Sequence, residues 1–310
     1  MNGAGTDAPA RAAHAAELLG ELARRDEPLG ARTTYRAGGN AALFVVATGE
    51  GVLHAVSDAV ARSGVDVLVV GSGSNLLVPD RGYPGLALVL AGSLERLDVD
   101  ASRGELVAGG AVPYPVLARR SAAVGLRGME WAVGIPGTVG GAVSMNAGGH
   151  GAATADRLVE ARLFDLRTGA SRTAGPGDLA LAYRSSNVAA GEVVVEAVFA
   201  CEIGDPADAT DEVASIVRWR RAHQPGGRNA GSVFTNPPGD SAGRLVELAG
   251  MKGARVRSAQ VSTKHANFIQ LDAGGAADDV LELVEVVRAA VATRTGVELA
   301  TELRVAGPDR

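Results

Sequence analysis

Two glycine-rich segments about sixty positions apart point most directly to chemistry: Gly71-Ser72-Gly73-Ser74-Asn75, and the stretch 128–151, GMEWAVGIPGTVGGAVSMNAGGHG. Glycine weakens both helix and strand, and eight of those 24 residues are Gly, so the stretch is expected to be neither a regular helix nor a long strand. It does not read as a linker, because Ile135, Pro136, Val139, Val143 and Met145 are residues of buried type. Apolar residues threaded through glycines suggest backbone held close to something flat or anionic, and a nucleotide cofactor is the first hypothesis. Gly71–Asn75 follows an apolar β-branched run, Val65–Val70, and successive N–H groups in such a loop can form an anion nest. A plain Gly-Ser turn accounts for the same residues. The dinucleotide fingerprint is not completed, since Leu76 takes the sixth position and Leu77-Val78-Pro79 offers no helix.

Three polar residues stand out at the ends of apolar segments. Arg184 follows Tyr183 between two expected strands, where a planar, permanently charged guanidinium could bind a carboxylate through two hydrogen bonds. Ser232 sits in a Gly-flanked turn ahead of Phe234 and Asn236-Pro237, and Glu302 lies within LATELRVAG, where a carboxylate is unusual unless it faces an edge or a site. Taken singly, a surface arginine, a turn serine and an outward strand residue are the simpler accounts. Other chemistries find no pattern. His14, His54, His150, His223 and His265 are scattered, and neither HExxH nor CxxC occurs, so no metal site is expected. Gly-x-Ser-x-Gly is absent, as is a Gly-Lys-Ser/Thr loop.

The elements that must position these residues follow from periodicity. Residues 8–25 predict an amphipathic helix with Leu18, Leu19 and Leu22 on one face, and 50–63 a second with Val52, Val56 and Val60. Strands are expected at 42–47, 65–70, 86–91, 105–108, 157–165 and 192–202, and a Pro-started helix at 113–124. A composition shift near Gly204-Asp205-Pro206 marks a domain boundary. Beyond it come helices at 208–223, at 241–249 with Asp240 as cap, and at 276–294, with strands at 266–271 and 299–305.

With 310 residues the chain can bury a sizeable core in one or two domains. Hydrophobic residues at 46% and charged residues at 21% read as soluble and globular. A net charge of -5 argues against a nucleic-acid partner. No apolar run is long enough to span a bilayer, the first residues lack the pattern of a secretory signal, and the lone Cys201 allows no internal disulfide. A reducing cytoplasm is the expected location.

Taken together, these segments resemble the UDP-N-acetylenolpyruvoylglucosamine reductase (UDP-N-acetylmuramate dehydrogenase) family, the flavoenzymes that make UDP-N-acetylmuramate for peptidoglycan. The matching residues are Thr34-Tyr35-Arg36-Ala37-Gly38-Gly39, then Val70 to Leu77, Gly134-Ile135-Pro136-Gly137-Thr138-Val139-Gly140-Gly141 and Asn146-Ala147-Gly148. They continue with Tyr183-Arg184-x-Ser186, Gly231-Ser232-Val233-Phe234-x-Asn236-Pro237, Lys264-His265-Ala266-Asn267-Phe268 and Glu302-Leu303-Arg304-Val305. The similarity runs from about Thr33 to Gly307, and an ordered set of this kind is far more specific than any one member.

The resemblance implies an α+β fold. A two-lobed, PCMH-type FAD-binding domain would cover 1–203, with lobes at about 1–82 and 83–203; an α+β substrate-binding domain would cover 204–298, and a strand at 299–310 would carry Glu302 to the active site. It implies FAD and NADPH as cofactors and a UDP-sugar as substrate, with no nucleic acid, membrane, metal or partner protein. FAD would be held by Tyr35, by Gly71, Ser72, Gly73, Ser74 and Asn75, by Gly137, Thr138, Gly140 and Gly141 mostly through backbone N–H, and by Asn146 and Gly148. Asn236 and His265 would contact the substrate. Arg184 and Glu302 would stabilise the enolate formed when hydride reaches the enolpyruvyl double bond, and Ser232 would protonate the adjacent carbon. Two like charges repel, so Glu302 must carry or share a proton at that step.

The chain departs from the family pattern at His223 and Thr235, where members often carry Lys, and at Val256–Ala259, which replaces a more glycine-rich version. Arg220, Arg221 or Arg228 are the expected substitutes at the diphosphate. The short stretch after Tyr183-Arg184 matches the shorter type of the family, without an added tyrosine-bearing loop. Two other readings are a different FAD-dependent oxidoreductase of the same fold and a flavin- or nucleotide-sugar-binding paralog without turnover; the substrate-domain motifs argue against the first, and the presence of Ser232 and Glu302 against the second.

Overall fold

The structure is a computed structural model that describes residues 7–307; the first six residues of the chain and 308–310, the end of the expected C-terminal strand, lie outside it. The chain divides into two compact units. The first gathers residues up to Arg25, Ala42–Ser72 and Pro84–Arg220; the second gathers Asp26–Ala41, Gly73–Tyr83 and the chain from Arg221 onward.

The first unit has two sheets. One runs in the order Arg24–Glu27, Ala41–Ala47, Tyr83–Leu90, Val67–Val70, with the last two strands parallel. Helices Ala8–Leu19 and Glu50–Ser63 pack on it, burying Ala12, Ala15, Leu19, Leu53 and Val56 with Leu43, Val45, Leu86 and Leu88. Glu50–Ser63 ends where Gly64 turns left-handed (φ 67°) and its N–H caps the Val60 carbonyl. The other sheet is antiparallel throughout, in the order Ser171–Ala174, Leu158–Asp165, Glu192–Ala200, Glu105–Gly109, Leu97–Asp100. Helix Tyr114–Ala123 packs Tyr114, Leu117 and Ala118 against it.

The second unit is built on helix Ala277–Thr295, whose Val280, Leu283, Val284, Val287 and Val291 recur at helical spacing and are all buried. They face the antiparallel sheet Arg255–Val256, Ala259–Val261, Ile269–Leu271 and helix Ala242–Leu248. Two earlier segments belong to this core. Tyr35, Ala37 and Leu77 are buried in it, and the carboxylate of Asp80 accepts the N–H groups of Ala277 and Asp278 at 3.1 Å each, capping the helix from almost two hundred residues away. Asp278 returns the bond to the Asp80 N–H.

Several expectations change. The division falls after Arg220 rather than at 204, because helix Pro206–His223 buries Ala209, Val213 and Ile216 in the core of the first unit. The first sheet extends to Leu90, past the lobe boundary expected at 82. The first helix stops at Leu19, at a left-handed Gly20, which leaves Leu22 in a short 3-10 turn and 43% exposed. The glycine-dense stretch does hold helix, in two short pieces: a 3-10 turn Glu130–Gly134 and one and a half turns at Val139–Ser144. Ser241, not Asp240, caps helix Ala242–Leu248. The last segment is extended only at Arg304–Val305, so Glu302 sits on irregular backbone. No helix among the described residues is long and apolar enough to cross a membrane.

Replacing Asp80 by Ala deletes an N-terminal cap, so the second unit should lose about 1 kcal/mol. Chemical unfolding followed by a probe in that unit would show it, and an unchanged midpoint would mean that Asp80 does not help hold its segment there.

Candidate active site

In the first unit the two glycine loops meet. A Cβ placed on Gly71 would lie 2.8 Å from the Thr138 hydroxyl, closer than real contacts allow. The N–H groups of Gly71, Ser72, Gly137 and Thr138 form no hydrogen bond among the described residues, which leaves a short row of open donors. The amides farther along are spent. Val139 N–H donates to the Val112 carbonyl and Gly140 N–H to the Gly110 carbonyl, both at 2.9 Å, while Gly141 N–H reaches the Thr138 hydroxyl at 3.4 Å. The expectation that Gly137–Gly141 binds mostly through N–H therefore narrows to Gly137 and Thr138. Gly140 and Gly141 serve close packing and the cap instead.

Arg184 sits at the tip of a tight turn in the same unit. Ala182 and Ser185 exchange both backbone bonds across its base, at 3.0 and 3.1 Å, and Arg184 takes a left-handed φ of 54°. The turn is fastened to the glycine-dense stretch at two points. Asn146, 7% exposed, donates through Nδ2 to the Ala182 carbonyl at 2.9 Å and accepts the Ala155 N–H at 3.0 Å; Ser186 Oγ donates to the Ser144 carbonyl at 2.7 Å. Asn146 was expected beside the cofactor, but both of its amide atoms already have protein partners. Gly148 pairs with Ala153 in a small hairpin, and a Cβ there would lie 2.7 Å from the Ala152 carbonyl, so the hairpin alone requires its glycine.

The second unit brings Ser232 and Glu302 into one hydrogen-bonded frame. Glu302 N–H donates to the Val233 carbonyl at 2.8 Å, Thr235 N–H donates to the Ala300 carbonyl at 2.9 Å, and Phe234 bridges Thr301 in antiparallel fashion. Asn75 completes the hold on Glu302. Its Nδ2 donates to the Glu302 carbonyl at 3.0 Å, its own carbonyl accepts the Arg304 N–H at 3.1 Å, and Leu76–Leu77 runs parallel to Arg304–Val305. The end of the first glycine loop is thus tied to the backbone of the candidate acid.

A pocket of ≈ 370 Å³ opens beside Ser232, walled by Asn236, Ser241, Arg244, Glu247, Lys264, His265 and Asn267. Asn236 spends Oδ1 on the Ala242 N–H, leaving Nδ2 to offer a ligand. Burial holds His265 below the usual histidine range, and its Nδ1 accepts the Asn267 N–H at 3.2 Å, so the neutral ring carries its proton on Nε2. Arg244 is paired with Asp240, whose carboxyl is pushed down to about 2 by that guanidinium and by the Ser241 N–H. A depressed acid keeps its partner charged and tethered above that value and releases it only as pH falls through it, so the pair persists at neutral pH.

Residues 41–175 match the FAD binding domain family, and 223–306 match the family described as UDP-N-acetylenolpyruvoylglucosamine reductase, C-terminal domain. The reductase of Rubrobacter xylanophilus is 44% identical over 94% of this chain and 97% of its own length, and that of Geobacter metallireducens 41% over 95% and 97%. The crystal structure of the Thermus caldophilus reductase superposes with a TM-score of 0.80 at 34% identity, covering 92% of this chain and all of the other. The chain belongs to the UDP-N-acetylenolpyruvoylglucosamine reductase family.

The fold of this FAD-using family is the α+β arrangement expected, and the glycine loops fit the cofactor: they leave N–H groups without protein partners, and at Gly71 a Cβ would collide with Thr138. Tyr35 does not join them. It is fully buried, and its hydroxyl donates to the Ile269 carbonyl at 3.1 Å, so it holds the second unit together. The cations that wall the pocket are Lys264 and Arg244 rather than Arg220, Arg221 or Arg228. Sequence reading named Lys264 and Asn267 within a matching motif but gave no role to them or to Arg244. The available signals were a charged residue next to His265 and an asparagine inside an apolar run.

Gly71→Ala and Tyr35→Phe should separate cradle from core. The first forces the two loops apart, so the purified protein should carry much less FAD at little cost in stability. The second leaves a buried carbonyl unpaired, so it should cost about 1–2 kcal/mol in chemical unfolding at unchanged flavin content. Absorbance per chain and an unfolding curve for each variant decide the matter; the reversed pattern would exchange the two roles.

Proposed function

We propose that this chain reduces UDP-N-acetylglucosamine enolpyruvate to UDP-N-acetylmuramate, with NADPH as reductant, and that Arg184, Ser232 and Glu302 handle the charge and the proton of that reaction. Full-length similarity to the reductases carries the activity. The pocket that gathers Ser232, Asn236, Lys264 and His265 supports the assignment of the substrate to the second unit. FAD, held at the glycine loops of the first unit, would supply the hydride-transfer chemistry that links NADPH to the enolpyruvyl double bond.

Hydride addition breaks the π bond and leaves an enolate, so negative charge grows toward the substrate carboxylate. A fixed guanidinium where charge develops needs no reorganisation during the reaction, and Arg184, on a turn clamped at both ends, is the group offered for this. Ser232 gives its hydroxyl proton to the carbon beside the carboxylate. A serine is a weak acid, and it can do so because the enolate is strongly basic. Glu302, carrying a proton, shares the charge. Lys264 and Arg244 are suited to the diphosphate as point charge and fork, and the neutral His265 offers Nε2–H. The chain would work in the cytoplasm.

Flavin should give the purified protein a yellow spectrum, and NADPH oxidation should depend on UDP-N-acetylglucosamine enolpyruvate; NADPH loss indifferent to that substrate would sink the reading. Ser232→Ala should still allow flavin reduction by NADPH while reoxidation by the enolpyruvyl substrate falls about 100-fold or more. Equal loss in both half-reactions would remove Ser232 from the proton step.

A further inference from the structure

Ser232 is half-buried, follows a left-handed Gly231 (φ 76°), and its hydroxyl forms no hydrogen bond among the described residues. Its place is therefore set by backbone, and that backbone runs between two neighbours. On one side lies the segment 300–303, through the Glu302 and Thr235 bonds described above, with Leu303 N–H also donating to the Val233 carbonyl at 3.2 Å. On the other side there is no strand. A single residue, Asn267, fills that role. Phe234 N–H donates to Asn267 Oδ1 at 3.0 Å, Asn267 Nδ2 donates to the Phe234 carbonyl at 2.8 Å, and Val233 N–H donates to the Asn267 carbonyl at 2.8 Å.

We propose that Asn267 is a positioning residue for the proton transfer, holding the segment that carries Ser232 and, through Val233, the backbone of Glu302. The inference rests on the reading of Ser232 given above. A primary amide offers the donor and acceptor of a peptide group side by side, so it can close a two-bond ring on Phe234 as a neighbouring strand would. Aspartate of the same shape offers acceptors only, and glutamine places the pair one methylene too far. Asn267 is 4% exposed, so water does not replace a lost bond, and a misaligned pair would let the segment shift. The small displacement that follows at Ser232 matters because proton transfer requires hydrogen-bond reach to the reacting carbon.

The test is a double-mutant cycle on the FAD-bound protein, read as single-turnover flavin reduction by NADPH and reoxidation by the enolpyruvyl substrate. Asn267→Asp should slow reoxidation about 10- to 100-fold, leave flavin reduction and flavin content within about twofold, and leave the substrate KM nearly unchanged. In a Ser232→Ala background the same substitution should slow reoxidation further by less than about twofold, since a residue that acts through Ser232 has nothing left to position. Equal slowing in both backgrounds, or a KM effect without a rate effect, would overturn the inference while leaving the function intact; the latter would place the action at His265. Wild-type reoxidation in Ser232→Ala alone would overturn the reading of Ser232 itself. If Asn267→Asp does not yield folded, flavin-bound protein, Asn267→Ser enters the same cycle with the same criteria.

Discussion

Irregular backbone must be held by something other than a ladder, and here asparagine amides do much of that holding. The three residues assigned to the chemistry all sit on such backbone. Arg184 lies at a turn tip with positive φ, Ser232 follows a left-handed glycine, and Glu302 precedes the short extended pair at 304–305. Each segment has peptide groups that no helix or sheet satisfies, and each meets an asparagine side chain: Asn146 on Ala182 in the first unit, Asn267 on Phe234 and Asn75 on the Glu302 carbonyl in the second. An amide side chain is a peptide group on a short stem, so it can complete backbone bonding where geometry forbids another strand.

The glycines solve a related problem of space rather than of bonding. At Gly71 a methyl group would strike Thr138, and at Gly110 it would lie 1.9 Å from the Val194 carbonyl, in the strand that supports the second loop. Gly110 also supplies the carbonyl that takes the Gly140 N–H. Among the described residues, the N–H groups of Gly71, Ser72, Gly137 and Thr138 remain without a protein partner in these closely packed loops. A cofactor with a diphosphate gains from donors already fixed in place, because their ordering cost is met on folding.

Much of this was legible in the sequence, and the omissions have physical causes. Long apolar periodicities gave the helices at 50–63 and 277–295 nearly to the residue. The short strands Leu97–Asp100, Ser171–Ala174 and Ala259–Val261 carry too few apolar residues to announce themselves, since they owe their form to ladder partners far away in sequence. The domain boundary moved because a glycine-rich composition shift marks a loop, whereas membership of a unit is decided by burial, and Ile216 and Val213 are buried with the earlier core. Motifs singled out candidate residues but not what their polar atoms bond. Tyr35, Asn75 and Asn146 stand in motifs that suggest ligand contact, yet the Tyr35 hydroxyl and both Nδ2 groups donate to carbonyls of the protein, which only three-dimensional placement reveals.

The pocket beside Ser232 carries two cations of unlike standing. His223 and Thr235 stand where two lysines were expected, and the pocket beside Ser232 is walled by Lys264, which belongs to the family motif, and by Arg244. They are not equivalent. Lys264 is anchored by its ammonium on the Arg221 carbonyl at 2.5 Å, a neutral partner that leaves its full charge in place. Arg244 is neutralised by Asp240 in a two-pronged pair, so an anion meeting it must compete with a carboxylate already seated. Glu247, on the same wall, is paired with the Lys252 ammonium at 2.8 Å. Of the two cations on this wall, Lys264 is the one with no carboxylate partner among the described residues. Neutral donors, Asn236 Nδ2 and His265 Nε2–H, supply direction without charge. A pocket with one such cation and several neutral donors selects by hydrogen-bond geometry more than by total charge, which agrees with the nucleotide-sugar substrate proposed for it.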